Sequence, residues 1–124
     1  MRSINPRERL EVIERAINES DGIGLVIIDG ISDLVSSIND EEQSTNVSTI
    51  LMRLSEEHHI HIMTVLHTNK NDSNARGHLG TYFQNKAETT IEIAVNEIDK
   101  DVSNVEAKYS RSEEITPFAI RING

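Results

Sequence analysis

Apolar residues are arranged along this chain in three distinct ways. Two short unbroken runs stand out first: Gly24-Leu25-Val26-Ile27-Ile28, closed by Asp29, and Ile62-Met63-Thr64-Val65-Leu66, closed by His67-Thr68-Asn69-Lys70. A short apolar run bounded by turn signals is what a strand buried on both faces looks like. The runs predict strands over residues 24–29 and 60–66. A carboxylate at the C-terminal end of such a strand sits where α/β proteins place their ligands.

Helical spacing is the second arrangement. Leu10, Ile13 and Ile17 fall on one face of a helix predicted over residues 6–20. Asn5-Pro6-Arg7-Glu8 starts it, because Asn5 caps, Pro6 lacks an N–H the first turn does not use, and Glu8 completes a capping box. Gly22 is placed to close its C-terminus. Val47, Ile50, Leu51 and Leu54, spaced i, i+3, i+4 and i+7, predict a second helix over residues 43–57. Polar residues Ser36–Ser44, with Asp40, Glu41 and Glu42, form a loop leading into its negatively charged start. Strand, helix, strand in that order implies a right-handed crossover with parallel pairing.

Alternation is the third. Thr89–Val95 alternates and is β-branched, which predicts a third parallel strand over residues 89–95. Val102–Tyr109 and Pro117–Ile122 also alternate, and the charged turn Ser110–Ile115 between them suggests an antiparallel hairpin at a sheet edge. Residues 68–80, rich in Asn, Asp, Ser and Gly, read as a long mobile loop. The fold class is therefore α/β, a mostly parallel sheet with flanking helices and a C-terminal antiparallel hairpin. The 124 residues suit one domain.

Composition narrows the function classes. The net charge is −9, with 21 acids against 12 bases, the wrong sign for a self-sufficient nucleic-acid binder. Aromatic residues make up 3% of the chain, so stacking platforms for single strands are also scarce. No cysteine is present, which removes disulfides and thiolate metal sites. No apolar stretch approaches the ~20 residues of a membrane span, and no secretory signal is visible. A soluble cytoplasmic protein with no membrane partner is the expectation.

Four stretches in order resemble the C-terminal half of a RecA-like P-loop ATPase, nearest to the hexameric plasmid replicative helicases and related mobile-element ATPases. Gly24-Leu25-Val26-Ile27-Ile28-Asp29-Gly30 resembles the Walker B strand. Val65-Leu66-His67-Thr68-Asn69-Lys70 resembles the following strand with its phosphate-sensing end. Ala75-Arg76-Gly77-His78-Leu79-Gly80 resembles the Arg-Gly loop, and Ala87-Glu88-Thr89-Thr90-Ile91-Glu92-Ile93 the strand after it. The resemblance spans roughly residues 10–122. Nothing in the sequence reads G-x-x-x-x-G-K-[ST], so the P-loop strand and helix are absent and helix 6–20 with strand 24–29 is half of a βαβ unit.

What the resemblance implies is a Mg²⁺-dependent, DNA-associated ATPase, a helicase or a replication or mobilisation ATPase of a plasmid or transposable element. ATP and Mg²⁺ would be its cofactors in the full-length enzyme, with neither bound tightly by this chain alone. Asp29 would hold the metal and its water shell, because a hard cation needs oxygen ligands; the alternative is an Asp-Gly turn with Gly30. Asp33, one turn on, would assist or cap. His67 would sense the γ-phosphate, and Lys70 would supply a cation for phosphate. The alternative for both is a polar strand end entering a loop. Arg76 would contact phosphate in the DNA channel or in a neighbour's site, or else mark a solvated Arg-Gly turn. Lys108 and Arg111 would act in trans on a neighbour's nucleotide, although Lys108-Tyr109-Ser110-Arg111 has one residue more between the cations than the family's pair. A solvated strand end is the other account of them.

His58, His59 and His61 raise a metal site, since two of them share a face on a strand; solvated helix-end histidines are the competing reading. A different functional class, a catalytically silent interaction domain, is also open. Missing a strand and helix leaves an apolar face and a sheet edge uncovered, so self-association is expected in either case. DNA would be reached through the full-length protein only.

Overall fold

The computed structural model describes residues 3–68 and 76–123, in the order α1 (Pro6–Glu19), β1 (Leu25–Ile28), a 3₁₀ turn (Ile31–Leu34), α2 (Glu41–His58), β2 (His61–Thr64), α3 (Gly77–Lys86), β3 (Thr89–Val95), β4 (Val102–Ser110) and β5 (Phe118–Arg121). Two compact units result, residues 1–85 and 86–124.

In the first unit β1 and β2 pair in parallel, Leu25 opposite His61 and Ile28 opposite Thr64, with α2 as the crossover between them. The capping box of α1 forms in full: Glu8 N donates to Asn5 Oδ1 (2.9 Å) and Asn5 N donates to Glu8 Oε2 (3.0 Å). The helix stops at Ser20, earlier than Gly22, which instead takes a positive φ in the turn toward β1. Asp40 caps α2 by accepting from Gln43 N, so the helix begins at Glu41 and takes in half of the expected loop.

The buried stripe of α2 is Ser44, Val47, Ser48, Leu51 and Leu54. Both serines bond to backbone one turn back, Ser44 Oγ to Asp40 O and Ser48 Oγ to Thr45 O, which removes the penalty of burying a hydroxyl. With Leu10 and Ile17 of α1, Ile31 and Leu34 of the 3₁₀ turn and Leu79 of α3, this stripe covers one face of the β1–β2 pair. An Arg53–Glu14 ion pair joins α2 to α1. The other face, carrying Leu25, Ile27 and Met63, is exposed.

The second unit corrects the expected sheet. Strand β3 pairs antiparallel with β4, and β4 with β5, giving a meander of order β3-β4-β5. The parallel part is thus only β1–β2. The reason is local. Asn96 Oδ1 accepts from Ile98 N and Asp99 N, and Asp99 Oδ1 accepts from Asp101 N, so the chain reverses directly after β3. An alternating strand that turns back at once makes a hairpin partner.

The second correction is α3. Residues 77–80, expected as loop, form its first turn, with Leu79 and Gly80 buried and Phe83 packed against the core. Residues 69–75 of that expected loop, including Lys70, lie outside the described residues. No described helix is long and apolar enough to cross a membrane.

Candidate functional site

The C-terminal ends of β1 and β2 are laced together beyond the strands themselves. Val65 N donates to Ile28 O (3.0 Å), and Ile31 N donates to Val65 O (3.1 Å). Asp29, between those two bonds, is thereby fixed at the sheet's C-terminal edge, with an exposed side chain. Its peptide to Gly30 is cis, and the backbone then enters the 3₁₀ turn. Asp33, also exposed, gives its carbonyl oxygen to Arg9 Nη1 (3.0 Å).

The third member arrives by a backbone contact. Arg76 N donates to His67 O at 3.1 Å, so two residues separated by the 68–75 segment meet just past β2. Arg76 O accepts from Gly80 N (3.1 Å), placing Arg76 at the head of α3. The next residue explains why glycine is needed there. Gly77 has φ +72°, and a Cβ on it would lie 2.7 Å from Ile38 O. That clash and the left-handed backbone both exclude a side chain. Leu79 N donates to Ile38 O (2.9 Å), completing the seat. Asp29 at the end of β1 and the bonded pair His67 and Arg76 past the end of β2 therefore lie at the same edge of one sheet, all exposed.

As a metal site the edge supplies one carboxylate. Among the described residues no three His, Asp or Glu side chains are grouped to hold an ion. Mg²⁺ is usually held by one or two carboxylates together with substrate phosphates and water. The donor set fits a metal that phosphate oxygens already hold, and it does not fit an all-protein cage.

Lys108 and Arg111 belong to the second unit. Between Thr90 and Ile91 the β3–β4 register slips, Thr90 pairing with Tyr109 and Ile91 with Ala107, so that Lys108 is the extra residue of a β-bulge. Residues three apart on a regular strand face opposite ways. Here the bulge resets the parity, and Arg111, whose N–H continues the ladder to Glu88 O (3.0 Å), comes to the polar face that carries Lys108. Lys108 Nζ lies 3.3 Å from Glu92 Oε2, an ion pair without the alignment of a hydrogen bond.

The histidines divide by role. His59 is the left-handed C-cap of α2 (φ 53°), His58 Nε2 is 2.8 Å from Asn18 Oδ1 of α1, and His61 opens β2. Only His61 is on a strand, so the shared face that a two-His site needs does not form. A small open cleft lined by Ser20, Asp21, Gly22 and His58 lies by the N-terminal ends of β1 and β2, remote from Asp29.

The sequence reading missed the His67–Arg76 contact, which no side-chain pattern encodes. Gly77 was visible as part of the Arg76-Gly77 pair, and its tight contact is the signal that pair carries. No protein-family model matches the chain, and neither curated proteins nor solved structures include a match.

Proposed function

We propose that the chain is part of a Mg²⁺-dependent, DNA-associated ATPase of the RecA-like class, a helicase or a replication or mobilisation ATPase of a plasmid or transposable element. The observation that carries this reading is that Asp29 and the His67–Arg76 backbone contact both lie past the C-terminal ends of one parallel strand pair. Ligands in open α/β sheets bind outside the carboxyl ends of the strands. When bound, Mg²⁺ neutralises charge developing on the transferred phosphoryl group. Asp29 holds the metal's water shell from the strand end. The His67 imidazole hydrogen-bonds a terminal phosphate oxygen. Because His67 O already accepts from Arg76 N, a displacement of His67 is passed to Arg76 through one bond, and Arg76 reports it to DNA phosphate. Lys70 adds a cation for phosphate. Lys108 and Arg111, on one face through the bulge, act in trans on a neighbouring nucleotide.

The full-length gene product tests this. Asp29→Ala is expected to reduce kcat for ATP by at least about 100-fold, while unchanged hydrolysis refutes the role of Asp29. The 124-residue chain by itself is expected to show no turnover, having no phosphate-cradling loop. One observation favours a second reading, a silent interaction domain: Leu25, Ile27 and Met63 are exposed on a sheet of only two strands. The coding sequence upstream separates the two. An in-frame G-x-x-x-x-G-K-[ST] supports the ATPase; a stop codon and ribosome-binding site support the interaction domain.

A further inference from the structure

The β3-β4-β5 meander has two chemically opposite faces. Register places Ile93, Val105 and Phe118 in one row across the three strands, and Val95, Ser103 and Ile120 in the next. The reverse face carries Glu92, Asn104, Glu106, Lys108 and Arg121. No charged residue is on the apolar face among the paired positions. At its centre Val105 is buried, yet Ile91, Ile93, Val95, Phe118, Ile120 and Ile122 around it are between 46% and 75% exposed.

We propose that this face is the contact of a two-fold symmetric dimer, in which the meanders of two copies stack face to face. Two properties point to a second copy. The paired positions of the patch carry no charge, Asp101 opposite Ile122 marking its end, so a copy of itself meets no like-charge repulsion across its centre, although the whole chain carries −9. Its size is also sufficient: six large side chains exposed to this degree present on the order of 600 Å² of apolar area, at the upper end of the largest patch on a typical monomer (~300–600 Å²) and near the ~800 Å² per partner of a stable pair. Stacked at the ~10 Å sheet spacing, the two meanders form a six-stranded sandwich whose core neither possesses alone. The inference specifies a surface for the expected self-association of the 124-residue chain.

Sedimentation of the 124-residue chain at roughly 50 µM, above the dissociation constants common for interfaces of this size, is expected to give twice the 13.9 kDa chain mass. Ile93→Lys buries an unpaired charge in the contact and should weaken the dimer at least about 100-fold, with far-UV circular dichroism checking that the variant folds. Ile27→Lys, on the exposed face of β1–β2, and Glu106→Lys, on the polar face of the meander, should leave the mass unchanged. A single cysteine gives a second readout, since the chain has none of its own. Ile120→Cys should cross-link through a short bis-maleimide, and Glu106→Cys should not. A monomeric wild type, an open series of higher masses, a dimer that persists in folded Ile93→Lys, or a dimer lost in Ile27→Lys instead would each overturn the proposal.

Discussion

The two units of this chain use the same residue types to opposite effect. In residues 1–85 the apolar side chains come from α1, α2, α3, the 3₁₀ turn and the strands, and converge on one cluster in which Ile31 and Leu79 are fully buried. In residues 86–124 they come from three strands of a single sheet, and of the large ones only Val105 is buried. A helix layer gives its strand pair something to pack on. The meander has no second layer within its own unit, so alternation that would build half a sandwich finds no partner surface there. Hydrophobicity written into a sequence specifies a core only when the topology supplies two surfaces.

That contrast can be broken most severely in the first unit. Leu54→Ala is expected to destabilise the fold by about 2–5 kcal/mol, because Leu54 is 1% exposed and its neighbours cannot collapse around the void. Ile93→Ala in the second unit, 67% exposed, should cost the monomer under ~0.5 kcal/mol. Denaturant titrations at low protein concentration measure both, and equal losses would erase the distinction drawn between the units.

A smaller effect sharpens it at single glycines. Gly77→Ala should cost about 2–3 kcal/mol, since its Cβ meets Ile38 O at 2.7 Å on a left-handed backbone. Gly22→Ala, with φ +73° and nothing within 4 Å, carries only the backbone term of ~1 kcal/mol. The smallest comparison is between caps. Asn5→Ala removes a two-bond capping box and should cost about 1 kcal/mol. Asn96→Ala removes two bonds from the β3–β4 turn and should speed amide hydrogen exchange across β3 and β4 while leaving α1 and α2 protected.

Legibility in the sequence follows how local each cause is. The α1 start was readable because Asn5 and Glu8 satisfy each other within one turn. The α2 stripe was readable because Val47, Leu51 and Leu54 repeat at the helical period. Helix α3 was not, because Gly77 and Gly80 lower helix propensity and imitate a loop; Gly77 is there for a close backbone approach and Gly80 for burial. The pairing of β3 was misread because an apolar β-branched run does not declare its partner, although Asn96 and Asp99 marked the reversal. At the candidate site Asp29 was legible from its strand end. The meeting of His67 with Arg76 was not, since a carbonyl and an amide bind alike whatever side chains they carry.

The same meeting has a consequence for what this chain tolerates. The start of α3 is pinned twice, by His67 O to Arg76 N and by Ile38 O to Leu79 N, so its position is set by main-chain bonds on both sides of Gly77. What seats α3 is thus a clasp made of main chain alone, His67 O on Arg76 N and Ile38 O on Leu79 N, which side-chain substitutions at those four positions leave in place.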